Sequence, residues 1–149
     1  MKQLKTKARG FTIIEVVLVL AIAGLIFLIV FLAVPALQRS QRDTQRRTDT
    51  GRLLTYLSNY QSNNRGALPD VAATQTLFKT NYAKELNSPS TGTAYTINFA
   101  VIANTDVNTI QIGVANKCSG DAFLATGATA RNVAVRLPLE GGGAYCTDQ

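Results

Sequence analysis

From Val16 to Ala36 the chain carries no charged side chain, and Pro35 is the one strong helix breaker in that run. At ~1.5 Å per residue, a helix over it is roughly 30 Å long, enough to cross the hydrocarbon core of a bilayer. The rest of the chain has to be organised around this rod. Two features separate it from a generic anchor. A short basic leader with Lys2, Lys5, Lys7 and Arg9 ends at Gly10, immediately before it. One carboxylate, Glu15, lies within its first turns, in the stretch Gly10-Phe11-Thr12-Ile13-Ile14-Glu15. An unpaired acid in hydrocarbon costs a few kcal/mol, so this one needs a partner.

The combination of basic leader, glycine, phenylalanine, spaced glutamate and apolar run resembles the prepilin class: type IV pilins, pseudopilins of secretion systems and competence pilins. Close resemblance covers about the first third of the chain; the remainder matches in general plan. The resemblance implies cleavage after Gly10 by a membrane aspartyl prepilin peptidase. It implies that the same enzyme methylates the new amine of Phe11, and that Glu15 is required for subunit assembly. It further implies a homopolymer built through the N-terminal helices, driven by a cytoplasmic assembly ATPase with a membrane platform protein.

Elementary electrostatics agrees with that picture. After cleavage the Phe11 amine is a new positive charge four residues before Glu15. The two attract strongly in a low-dielectric setting, although both must first be desolvated. Pairing with the amine of an adjacent subunit would set an axial stagger. The alternative is that Glu15 simply sits at a helix N-terminus, where the macrodipole favours an acid; spacing alone does not separate the two.

The 149 residues allow about one domain beyond the rod. Net charge is +6, and subtracting the four leader cations leaves +2, so the high pI is no nucleic-acid signal. Histidine is absent, which removes the commonest general base and metal ligand. Cys118 and Cys146 both follow the rod. An even count there points to one disulfide in an oxidising space, with two free thiols as the alternative. Closing that loop would constrain the unfolded chain by about 3.5 kcal/mol in the chain-entropy model.

Taken in order, residues 1–10 read as a leader, 11–36 as a transmembrane or filament-core helix, 37–65 as its amphipathic continuation and 66–149 as a globular head. An ordinary secretory signal is cut after its apolar stretch; here the cut precedes it, so the rod is retained. Basic residues flank both ends, with Arg39, Arg42, Arg46, Arg47 and Arg52 on the far side, so the positive-inside rule does not decide orientation. The cysteine pair and the resemblance put the head outside, the precursor in the inner membrane and the polymer outside the cell. Gly24 and Pro35 are the weak points of the helix, expected helical in the monomer and partly extended in a fibre.

Beyond Leu37 the helix is expected to continue to about Asn63. Asp43 with Arg47, and Arg39 with Asp43, are spaced for side-chain pairs. Arg39, Arg42 and Arg46 form a charged stripe expected to face solvent or lipid headgroups. Leu53, Leu57 and Tyr60 prolong nearly the same face and should seat the head. Thr44, Thr48, Gly51 and Thr55 form a stripe of small residues on the opposite side, suited to close helix packing. Gly66 is a helix-ending residue. A short helix over Thr74–Leu86 should bury Leu77, Phe78, Tyr82 and Leu86. Alternation over Tyr95–Val101, Thr109–Val114 and Asn132–Leu139 argues half-buried antiparallel strands, the first two joined as a hairpin by Asn104-Thr105-Asp106. Pro138 belongs at an edge or strand end. Gly141-Gly142-Gly143 should leave the approach to Cys146 flexible. The fold class expected is α+β: a long N-terminal helix, transmembrane then amphipathic, packed on a small antiparallel sheet in the pilin-like manner. The resemblance also implies a disulfide-bounded, surface-exposed C-terminal region.

No P-loop, dinucleotide motif, zinc spacing or nucleophile elbow is present in the sequence. No catalytic residue, cofactor or metal is therefore assigned. The acids Asp70, Glu85, Asp106, Asp121, Glu140 and Asp148 are scattered and read as solvated surface groups. Asp106 and Asp121 lie in loops, as in calcium sites of some pseudopilins, but without EF-hand spacing. Aromatic and basic residues are not interleaved, so there is no residue-level case for nucleic acid. The expected function is a structural subunit, a major pilin of a type IV pilus. The rivals are a minor pilin or pseudopilin of a secretion or competence system, and a monomeric membrane-anchored extracellular binding module.

Overall fold

A computed structural model describes residues 10–101, 104–125, 127 and 129–149. Apart from Gly10, the expected leader lies outside the described residues. The chain divides into two units, one ending at Gln38 and one spanning Arg39–Gln149. Helix α1, Ile13–Asn63, belongs to the first unit up to Gln38 and to the second from Arg39 on. Helix α2 is Ala72–Asn81. Strands β1 (Thr96–Asn98), β2 (Thr109–Val114), β5 (Val133–Pro138) and β6 (Ala144–Asp148) form one sheet in the order β1-β2-β5-β6. Strands β3 (Lys117–Ser119) and β4 (Ala122–Leu124) form a separate hairpin. The class is α+β, with a predominantly antiparallel sheet.

In the second unit the stripe anticipated on α1 does seat the core. Leu53, Leu57 and Tyr60 pack with Ile110, Ile112, Val133, Val135 and Leu137. Their spacing of three and four residues puts them on one helix face. The end of α1 is tied by the Gly66 amide donating to the Gln61 carbonyl at 2.7 Å. Both Arg65 (φ +55°) and Gly66 (φ +83°) adopt the left-handed conformation there. Helix α2 is shorter than anticipated and ends at Asn81. Phe78 is fully buried, with Tyr60 edge-on at 5.8 Å and Tyr82 stacked at 5.9 Å. Leu77 instead lies exposed, because α2 presents only one residue to the core.

Three strand expectations change. First, β1 and β2 are parallel, with Ile97 opposite Ile110, so they are no hairpin. Tyr95 is pulled toward the preceding loop, its amide donating to the Leu86 carbonyl, and the ladder to β2 starts only at Thr96. Alternation reports a buried face but not the direction of pairing. Second, the sheet is not half-exposed. Thr109, Gln111 and Ala134, on the face away from the apolar core, are also buried. The β3–β4 hairpin covers that face, with Phe123 so close to Gly113 that a Cβ there would sit 3.0 Å from its ring. Arg136 satisfies the polar side, donating to the Gln111 Oε1, the Asn104 carbonyl and the Asp121 carbonyl. Third, the tail after the glycines is a paired strand: β6 runs antiparallel to β5, which ends at Pro138 as its sequence requires. The Cys118–Cys146 disulfide, Cα–Cα 5.7 Å, fastens β3 to β6.

The arginine stripe is likewise not a solvated surface throughout. Arg46 is wholly buried. It pairs with Asp43 at 3.0 Å and with Glu140 at 2.6 Å, and donates to the Ser90 hydroxyl. Arg42 also grips Glu140, at 2.6 Å. Asp43 in turn accepts the backbone amides of Glu140 and Gly141 at 2.8 and 2.9 Å. So Asp43 pairs with Arg46 and the β5–β6 turn, not with Arg47 or Arg39; Arg47 lies over the Tyr145 ring. The glycine turn that looked flexible is held by a carboxylate, and Glu140 is no scattered surface acid.

Hydrogen bonding from Arg42, with help from Ser90 and Arg46, holds the Glu140 carboxyl at about 2, below its ordinary 4.5. A depressed acid contributes stability that is present above its unfolded pKa and is lost as pH falls through the folded one. Denaturation of the full chain in detergent should therefore show a loss of stability between pH 4.5 and about 2. Glu140→Gln should flatten that dependence and, at neutral pH, cost about 3 kcal/mol by leaving buried Arg46 underpaired. Replacing both Cys118 and Cys146 with serine should cost about 3.5 kcal/mol in the same measurement.

Candidate functional site

The first described residues assemble the motif singled out in the sequence. Gly10 and Phe11 precede the helix and are exposed, Phe11 at 89%. Thr12 stands where a helix N-cap belongs, and Glu15 is the third residue of α1. One carboxylate oxygen, Glu15 Oε2, accepts both the Thr12 amide at 2.9 Å and the Thr12 hydroxyl at 2.7 Å. The glutamate thus reaches back over the helix start and satisfies an amide that has no intrahelical partner. Its other oxygen, Oε1, has no hydrogen-bond partner among the described residues. Thr12 was missed by the sequence reading, although the Thr-x-x-Glu spacing that predicts such a capping pair is plainly present.

Beyond Glu15, no described residue of the first unit covers the rod. The apolar window of α1 has none of its residues buried. Phe27, Phe31, Leu32 and Ile29 are exposed at 63%, 78%, 73% and 56%, on all sides of the helix. A helix that is apolar all round is a core or membrane element. By length and composition this one is able to cross a bilayer. The helix continues through Gly24 and Pro35, and nothing lies within 4 Å of the position a Gly24 Cβ would take.

The family comparison decides what kind of N-terminus this is. Residues 5–31 match the model of the prokaryotic N-terminal methylation motif. The chain opens with a prepilin-type signal. No curated protein and no solved structure matches it. Such a motif is the one found at the N-terminus of type IV pilin-like and pseudopilin-like proteins, and it implies processing by prepilin peptidase. The apolar rod and the prepilin motif fit a membrane-anchored precursor, and the α+β plan with its disulfide fits a pilin-like fold.

Elsewhere the candidate groups do not gather into a site. Among the described residues there is no cluster of three or more metal-ligating side chains. Asp106 is committed to its own turn: its oxygens accept the Asn108 amide at 3.0 Å and the Thr109 hydroxyl at 2.6 Å. The Thr109 hydrogen bond is the main reason its carboxyl is held below the ordinary range. Thr44, Thr48 and Thr55 lie exposed, their hydroxyls donating to the carbonyls four residues back.

Thr12→Val removes the hydroxyl donor to Glu15 and should loosen the first turn by about 1 kcal/mol, the worth of a lost cap. Amide exchange from Thr12 to Val16, followed in detergent micelles, should accelerate about fivefold while exchange beyond Leu20 stays unchanged.

Proposed function

We propose that this chain is a structural, non-enzymatic subunit, the major pilin of a type IV pilus. The observation that carries the reading is a prepilin motif and an uncovered apolar rod joined in one segment, with a carboxylate at their junction. Prepilin peptidase cuts between Gly10 and Phe11 and methylates the Phe11 amine. The precursor spans the inner membrane by residues 11–36, with residues 66–149 external and 37–65 joining them. On polymerisation the rod exchanges lipid for neighbouring rods and never meets water, so the step avoids the main hydrophobic penalty. Assembly ATPase and platform protein supply the work.

Glu15 is the assembly acid. In the monomer one of its oxygens is occupied by Thr12, and the second is free to meet the Phe11 amine of the next subunit. Gly24 and Pro35 mark where α1 loses regularity once packed: glycine adds backbone freedom and proline lacks an amide donor. A minor pilin or pseudopilin would share all of this chemistry and differ in abundance.

Mass spectrometry of sheared surface filaments should find a dominant subunit beginning at methylated Phe11. Glu15→Leu should leave cleavage intact and abolish filaments. A mature subunit that begins at Met1, or filaments formed normally by Glu15→Leu, would overturn the proposal.

A further inference from the structure

The arginines of the second unit divide into occupied and unoccupied. Arg42, Arg46 and Arg52 pair with carboxylates, Arg47 lies over Tyr145, and Arg136 donates to three oxygens. Arg39, Arg65 and Arg131 have neither an ion pair nor a side-chain hydrogen bond among the described residues, and of these Arg65 and Arg131 line the same cleft. The two come from distant parts of the chain, one just past the end of α1 and one at the turn before β5.

The backbone beneath both cations is fixed by a single residue, Gln61. Gln61 Nε2 donates to the Arg131 carbonyl at 3.1 Å, while Gln61 Oε1 accepts from Gln149 Nε2 at 2.9 Å. The Gln61 carbonyl accepts the Gly66 amide, which closes the turn that carries Arg65. Arg65 itself holds a left-handed φ of +55°, a conformation that disfavours a side chain with a Cβ. The backbone that carries the two arginines is thus fixed, and both exposed side chains border the same cleft. Around them lie the Ser58 and Ser62 hydroxyls and the Gln149 amide.

We propose that this cleft is a binding site for an acidic polysaccharide. Arg65 and Arg131 take carboxylates of the polymer in charge-assisted hydrogen bonds; the Ser62 hydroxyl and the Gln149 Nε2 already donate within the chain, and the oxygens of these flanking groups accept from the sugar hydroxyls. Nucleic acid fits less well. No aromatic side chain lines the cleft or the one adjoining it, so there is no platform on which a base would stack. The adjoining cleft, which shares both arginines, also carries Asp70, which opposes a dense row of phosphates. The site does not depend on polymerisation, so it is testable on unassembled chains.

The test measures binding of polygalacturonate to the full chain in detergent micelles, with neutral dextran and single-stranded DNA as comparison ligands. Polygalacturonate should bind and dextran should not. Arg65→Gln and Arg131→Gln should each weaken polygalacturonate binding about tenfold, the loss expected for one charge-assisted contact. The double variant should abolish it with an unchanged thermal melt. Arg39→Gln with Arg47→Gln, which removes equal charge elsewhere, should leave it intact. Absence of polygalacturonate binding, equal loss in that control pair, or tighter binding of DNA through the same two arginines would each overturn the proposal.

Discussion

An apolar helix that no other described residue of its own unit covers is the constraint from which the rest follows. Each leucine, isoleucine or phenylalanine withdrawn from water is worth about 1.5–3 kcal/mol, and the rod exposes a long series of them. The second unit has a core of its own, in which the sheet, α2 and the later part of α1 satisfy one another. By length and composition the rod is able to cross a bilayer. At its head lies the prokaryotic N-terminal methylation motif. Glu15 is the one polar exception on this surface, and its hydrogen bonds with Thr12 show how the chain carries a carboxylate at such a place.

The second unit solves a different problem, that of ordering short strands and glycine-rich turns on one helix face. Apolar packing accounts for half of the solution. The other half is polar and internal. Arg46 reaches Asp43 on its own helix, Ser90 in a loop and Glu140 in the β5–β6 turn, so one buried cation draws three segments together. Burying such a group is costly unless its donors are met, and here two carboxylates, a hydroxyl and the Val107 carbonyl meet its three nitrogens. On the other face of the sheet, Arg136 performs the same task for Gln111 and two loop carbonyls, under the cover of β3–β4 and the disulfide.

These polar contacts also explain where reading the chain in one dimension failed. Helical spacing offers Asp43 an arginine at three residues, Arg46, as well as Arg39 and Arg47 at four, and spacing does not say which of them the fold buries beside it. Its real partners include amides at Glu140 and Gly141, almost the whole domain away in sequence. Glu140 itself looked like one more solvated acid. The alternation in β2 and β5 identified the core face correctly. It treated Thr109, Gln111 and Arg136 as facing water, since a polar residue under a second layer looks no different in sequence from one in solvent. Parallel pairing of β1 was invisible for the same reason: periodicity carries no direction.

The sequence by itself determined the elements whose physics is local: the membrane-length rod, the glycine–phenylalanine–glutamate spacing, the helix face of Leu53, Leu57 and Tyr60, and the strand end at Pro138. Each depends on neighbours within a turn or two, so residue type and spacing suffice. Tertiary structure alone decided which face of the sheet was covered twice, which acid met which arginine, and that Arg65 and Arg131 share a surface. Those outcomes depend on free-energy balances between groups far apart along the chain, where desolvation is repaid only by a partner that folding brings into reach.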